Sequence, residues 1–338
     1  MEKFKISNQK ILVTGGAGFI GSEMSNQLLD AGAKVTVVDN LINGKKENLN
    51  LNNDNLTFFQ EDIRNLDLME KLITENDYLF NLAALGVRHS IHSPIENHLV
   101  NAEGTLNLLY ISENLNLKKF IHISTSEVYG SAIQIPMSEN HPTMPHTVYG
   151  GSKLAGEAYV RAFSKTYSLE CTIIRPFNSF GHNSHFEGDT GEVIPKFIIR
   201  ALTNNPLYIF GDGEQTRDFT YVSDTANAIY TVGLSDTDNE TYNVGSENEI
   251  SVNDLAQMII KLCKSKSKII HIEERPGDVK RLYSDSSKVT SKFNIKKQYG
   301  LRKGLIRTID WYKKNFKDLN SLLDDETVLN WKIHDSTF

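Results

Sequence analysis

Cysteine is almost missing from this sequence: 338 residues hold only two, Cys171 and Cys263. They lie far apart, each inside an apolar-patterned segment, so they read as buried thiols rather than a disulfide or a metal-binding pair. Long apolar runs are missing too. No stretch nears the roughly 20 residues of a membrane-spanning helix, and mean hydropathy is −0.35, so no membrane association is expected. Nor is there an excess of positive charge: 36 Lys and Arg face 42 Asp and Glu, a net charge of −6. That balance argues against nucleic acid as the main partner. The opening MEKFKISNQK lacks the apolar core and small-residue cleavage site of a secretory leader, which points to the cytoplasm. With 39% apolar residues, the chain can bury one large core or two moderate ones.

What is present is a rhythm. Short β-rich runs at 10–14, 34–39, 56–60, 78–83, 119–124 and 171–175 alternate with helical spacing over 18–31, 95–114 and 147–167. The runs are nearly continuous in Val, Ile, Leu and Phe, as parallel strands covered on both faces should be. An α/β, Rossmann-type doubly wound sheet is predicted. Beyond about residue 176 the rhythm breaks into a loop rich in Gly, His and Asn, then helical patterns near 194–204, 223–234, 251–263 and 301–315. The expected division is a dinucleotide-binding domain over 1–176 and a smaller α/β substrate lobe over 177–338, with some chain exchanged between them. The sparse apolar residues of 316–338 read as a packed C-terminal helix.

Two sites stand out chemically. ILVTGGAGFIGS places Gly15, Gly16, Gly18 and Gly21 between the first strand and its helix. Glycine there lets the backbone approach a pyrophosphate, whose charge meets the helix N-terminus. Asp39 ends the next strand 18 residues after Gly21; a carboxylate accepts from both ribose hydroxyls and repels a 2′-phosphate, so NAD is expected over NADP. The second site is Tyr149 and Lys153, one helical turn apart on one face. An ammonium about 4 Å from a phenol, at an effective dielectric near 20, offers about 4 kcal/mol, enough to lower the phenol pKa by about 3 units. Tyr149 then reads as a general base for a hydroxyl proton, although Tyr and Lys one turn apart are common and by themselves read as a surface pair. Ser124, Thr125, Ser126 and Glu127 follow the fifth strand, at the carboxyl edge where open parallel sheets bind ligands.

The set GGAGFIG (15–21), VVDN (37–40), DIR (62–64), NLAA (81–84), STSEVYG (124–130), YGGSK (149–153), RPFN (175–178) and GDGEQTRDFTYVSD (211–224) resembles the extended short-chain dehydrogenase/reductases that modify nucleotide sugars. The resemblance covers roughly residues 10–315. It implies a retained NAD held by Gly15, Gly18, Phe19, Ile20, Asp39 and Asn40 at the pyrophosphate and ribose. Asp62 and Ile63 would meet the adenine and Leu82, Ala83 and Ala84 the cofactor's middle, with Ser124, Tyr149 and Lys153 bordering it as well. It makes Tyr149 and Lys153 the catalytic couple and gives the sugar 4-hydroxyl to Thr125, or to Ser124. Ser126, Asn178, Val193, Lys196, Arg217 and Arg275 fall to the substrate, a nucleotide-diphosphate sugar, UDP foremost; arginine forks suit phosphate oxygens. The resemblance also implies a homodimer through helices near 95–114 and 147–167.

By the same resemblance Glu127 is the informative residue. Members that only invert carbon 4 usually carry a small or hydroxyl residue there, whereas dehydratases and decarboxylases carry Glu. A 4,6-dehydratase is the leading expectation, with Glu127 removing the carbon 5 proton made acidic by a 4-ketone. UDP-sugar 4-epimerase, UDP-glucuronate decarboxylase and a silent NAD-binding scaffold stay open. Two departures matter: Ser126 stands where glucose 4,6-dehydratases have Asp, and His182 where the family usually has Pro. Arg88 and His89 face either sugar or solvent. His182, His185, Glu187 and Asp189 share a loop without the spacing of a metal site, so no metal is expected.

Overall fold

The computed structural model describes residues 6–331 except 116, 189, 237 and 238. Strands form where the apolar runs lie: β1 (Lys10–Thr14), β2 (Lys34–Val38), β3 (Leu56–Phe59), β4 (Tyr78–Asn81), β5 (Lys119–Ile123) and β6 (Cys171–Pro176). A seventh strand, Glu240–Val244, comes from the second half of the chain and pairs parallel with β6. Across the sheet the order is Glu240–Val244, β6, β5, β4, β1, β2, β3. Strand order reverses between β1 and β4, and a crevice opens at the carboxyl ends of such a pair.

Period-two alternation divides neighbouring residues between two cores. Val13, Phe80, Ile121 and Ile174 face helix α1 (Phe19–Asp30) and the Val222–Gly233 helix, packing with Met24, Leu28, Ile229 and Val232. Their neighbours Leu12, Leu79, Phe120 and Ile173 face the opposite side, against Leu72, Leu108 and Val160. The predicted helix over 95–114 is real but not uniform: Pro94–His98 and Gly104–Glu113 are joined by a π-helical stretch, Leu99–Glu103. The predicted helices of the second half appear as Val193–Leu202, Val222–Gly233, Val252–Cys263 and Leu301–Asn315.

A third core gathers Phe197, Ile198, Leu207, Tyr221, Leu255, Leu305 and Tyr312. The expected C-terminal helix does not form: residues 316–331 hold one short 3-10 turn, Ser321–Leu323, and otherwise irregular chain. Its apolar residues still pack: Leu322 joins the third core, with Phe316, Leu319 and Leu323 against it, and beyond Leu323 too few follow to make the repeating stripe that holds a helix down. The rest of that segment, 332–338, lies outside the described residues. Among the described residues no helix is long and apolar enough to cross a membrane, and both cysteines are free thiols.

Candidate active site

The glycine turn is built for close approach. Gly15 has φ +67°, and a Cβ there would sit 2.7 Å from the Ala83 nitrogen; one on Gly21 would sit 2.2 Å from the Gly15 oxygen. Helix α1 starts at Phe19 with no acidic residue in its first turn, so its unpaired N–H groups and positive dipole end face the crevice. The Phe19 ring packs into the third core, leaving its backbone to the crevice. Asp39 accepts from Ala17 N–H at 2.9 Å and Leu41 N–H at 2.8 Å, so each carboxylate oxygen keeps a lone pair. Burial pushes this carboxyl up, against the backbone donors of Leu41, Ala17 and Gly18. Asp62 is more committed: it takes Asn40 Nδ2 at 2.9 Å and Arg64 through Nε, Nη2 and the backbone N–H. Those Arg64 bonds pull its pKa down to about 2. Ile63, Leu82, Ala83 and Ala84 line the same crevice. A glycine-lined helix terminus and an accepting Asp39 fit the pyrophosphate and ribose of NAD.

Tyr149 and Lys153 enter from the Val148–Tyr167 helix, capped by Thr147 Oγ1, which accepts from Gly150 N–H at 3.2 Å. Past β5, Thr125 caps the 3-10 turn Ser126–Tyr129 by accepting from Glu127 N–H at 3.2 Å. Ser124, Thr125, Ser126, Glu127, Tyr149 and Lys153 all line one crevice of about 430 Å³. The expected lowering of the Tyr149 phenol is not found in the chain alone. Burial pushes it up to about 12; Thr125 hydrogen-bonds it, but Glu127 and Glu192 repel the phenolate. Burial also pulls Lys153 down to about 8, with Glu157 opposing. Loss of water around both groups outweighs the short-range charge attraction expected between them.

Beneath this loop lies a buried network that sequence reading missed. Ser124 Oγ donates to Glu157 at 2.6 Å, and Arg175 Nε and Nη2 donate to the same carboxylate at 2.7 and 2.6 Å. Arg175 also reaches Tyr129 at 2.7 Å, and Tyr129 donates to Asn243 at 2.7 Å. Removing the guanidinium, Arg175→Ala, leaves the buried Glu157 with Arg161, at 2.7 Å, and Ser124 as partners and is expected to cost about 3 kcal/mol, the low end for breaking a buried pair. Denaturant midpoints check this, and an unchanged midpoint would show that the pair is not holding the loop.

At the crevice's far end, Asp278 Oδ1 accepts from Arg217 at 2.8 Å and Arg275 at 2.6 Å. One carboxylate thus gathers two guanidiniums, leaving a net positive charge. Asn178 and Val193 lie beside them, and Asn178 Oδ1 is buried without a protein partner. Lys196 lines an adjoining cavity of about 130 Å³, which Asn178, Val193, Arg217 and Arg275 also line, and donates to Thr327 O at 2.7 Å. Arg88 lines both spaces, and His89 the first. His182 points away, 3.0 Å from Glu23 and 3.3 Å from Tyr221, while Glu187 pairs with Lys45. Asp189 lies outside the described residues.

The residue that sequence reading overlooked entirely is Glu192, which lines the crevice at the start of the Val193–Leu202 helix. It makes no cap bond to that helix, and burial pushes its pKa up to about 7, against Arg88. A carboxyl raised from 4.5 stabilises the fold below the unfolded value and loses that contribution as pH rises through the folded one. Glu192→Gln is therefore expected to gain on the wild type between about pH 4.5 and 7, reaching about 3 kcal/mol. Urea midpoints across that range check it; a constant difference would exclude burial as the cause.

The GDP-mannose 4,6-dehydratase family matches residues 12–308. The chain belongs to this family. It is similar to the UDP-N-acetylglucosamine 4-epimerase of Methanobrevibacter ruminantium, at 35% identity and a TM-score of 0.87 over 92% of this chain and 100% of that one. The dTDP-glucose 4,6-dehydratase of Streptomyces venezuelae, solved with NAD bound, aligns at 30% identity and a TM-score of 0.86, over 90% and 97%. A UDP-N-acetyl-alpha-D-glucosaminuronate decarboxylase of Bacillus cytotoxicus is 34% identical over 90% of this chain and 98% of its own length. Relatives of comparable similarity thus bear the names of three reactions. What they share is the family to which this chain belongs, the NAD-dependent nucleotide-sugar epimerases, dehydratases and decarboxylases, with NAD as the cofactor.

Proposed function

We infer that this protein is a nucleotide-sugar 4,6-dehydratase. The observation that carries the reading is that Glu127 lines the same crevice as Thr125, Tyr149 and Lys153, close enough to raise the Tyr149 pKa by its charge. In this reading Arg217, Arg275 and Asn178 hold the diphosphate, and the adjoining cavity takes the base. Thr125 orients the 4-hydroxyl, and Tyr149 takes its proton, with Lys153 favouring the phenolate. Bound NAD supplies a hydride acceptor at carbon 4 and, once reduced, a hydride donor. Glu127 removes the carbon 5 proton, which the adjacent ketone acidifies. The 6-hydroxyl then leaves as water, and Glu192, with its carboxyl raised to about 7, is the proton source that Ser126 cannot be.

A 4-epimerase is the second reading. It is favoured by Ser126 in place of an acid and by the similarity to the Methanobrevibacter epimerase. One experiment separates them: incubation with UDP-glucose, UDP-N-acetylglucosamine, UDP-glucuronate, dTDP-glucose and GDP-mannose in D₂O, followed by NMR. Solvent deuterium at carbon 5 in a 6-deoxy-4-keto product is expected. Inversion at carbon 4 without exchange would mean an epimerase, and CO₂ release a decarboxylase; either overturns the dehydratase.

A further inference from the structure

One wall of the second cavity is neither helix nor strand. Residues 325–331 run back along the Val193–Leu202 helix as an irregular strap. Gly188 N–H donates to Asp325 O at 2.8 Å, and Asn330 Nδ2 donates to Gly191 O at 3.1 Å. Between these ties, Lys196 Nζ donates to Thr327 O at 2.7 Å and Arg200 Nε meets the Glu326 carboxylate at 2.9 Å. Trp331, 6% exposed, closes the strap edge-on against Phe210, ring centroids 4.7 Å apart.

The strap therefore commits two buried cations and a tryptophan to a length of irregular chain beyond residue 308, where the family match ends. Buried cations need partners, and the strap supplies both. Glu326, Val328 and Asn330 face the cavity alongside Tyr208 and Phe210, and Arg200 stacks 4.4 Å above the Tyr208 ring. Through Gly188 and Gly191 the strap also grips the loop that leads to Glu192. Anything filling this cavity touches the strap on one side and an aromatic surface on the other.

Resting on the nucleotide-sugar reading above, we propose that the 325–331 strap is the outer wall of the base pocket and sets its selectivity, admitting a pyrimidine and excluding a purine. The cavity of about 130 Å³ is less than a third of the neighbouring crevice of about 430 Å³, and the strap contributes Glu326, Val328 and Asn330 to its lining. Base selectivity then depends on a segment that makes no contact with the reacting carbons.

Calorimetric titration of the NAD-loaded protein with UDP, dTDP and GDP tests this, comparing the wild type with Trp331→Ala, Asn330→Ala and a chain ending at Asp324. The wild type is expected to prefer UDP and dTDP. The strap variants are expected to lose about tenfold in UDP affinity and to narrow the pyrimidine preference by a similar factor, since Asn330→Ala and the shortened chain remove part of the lining and Trp331→Ala frees the strap from Phe210. NAD affinity is expected to stay within about twofold, because the strap does not line the cofactor crevice. Unchanged UDP affinity and base ranking in NAD-competent variants would overturn the strap's role while leaving the nucleotide-sugar reading standing, as would a wild type that prefers GDP. A wild type that binds none of the three overturns the nucleotide-sugar reading itself. If the shortened chain fails to hold NAD, the two single substitutions decide the matter by the same criteria.

Discussion

Tyr149→Phe is expected to lower turnover by about 10²–10⁴-fold, the range for losing a general base, while NAD affinity changes by no more than about twofold. Phenylalanine keeps the ring, so the half-buried crevice wall and the Val148–Tyr167 helix are retained. What disappears is the oxygen that hydrogen-bonds Thr125 and that, in the proposed mechanism, takes the sugar proton. In the chain alone the phenol is held at about 12 by burial and by Glu127 and Glu192. The free enzyme is thus poorly prepared to deprotonate, and positive charge brought by Lys153 and the cofactor has to offset that penalty. Steady-state rates with an NMR-identified substrate and a fluorescence titration of NAD check the two halves. Turnover within about threefold of wild type would remove Tyr149 from the mechanism.

Glu127→Gln carries the second large effect. The amide keeps the shape and cannot accept the carbon 5 proton, so deuterium exchange and elimination are expected to fall by about 10²-fold or more. Oxidation at carbon 4 does not use this group, so reduced cofactor and 4-keto sugar accumulate, visible in the near-ultraviolet absorbance. Burial raises the Glu127 carboxyl, with Arg217, Arg275 and Arg88 opposing. The base form therefore grows in as pH rises through a value above that of an exposed carboxyl, and wild-type elimination declines earlier on acidification than such a carboxyl would dictate. The variant lacks that limb. Unimpaired elimination in Glu127→Gln would leave the epimerase chemistry as the better description.

Much of this was legible in the residues. The six predicted strands fall within two residues of the observed ends, because a strand buried on both faces writes a continuous apolar run. The glycine turn and Asp39 were legible for a related reason: dinucleotide binding there depends on backbone approach and a strand-end carboxylate, both local features. The seventh strand, Glu240–Val244, was not recognised, since ETYNV has no such run and owes its place to β6. Glu192 carried no signal either; a lone Glu after a loop takes its meaning only from the burial and the Arg88 charge that the fold provides.

The sequence by itself determined the Rossmann-type sheet and the NAD turn, because these depend on short-range periodicity and spacing; the grouping of Thr125, Glu127, Tyr149 and Lys153 followed from the resemblance of its motifs to the nucleotide-sugar family. Only the tertiary structure decided the protonation balance of Tyr149 and Lys153, the pairing of Arg217 and Arg275 on Asp278, the second cavity that Lys196 lines with them and the strap along it. Each of those joins residues far apart in the chain, and burial and charge pairing are properties of the three-dimensional neighbourhood that no local pattern encodes.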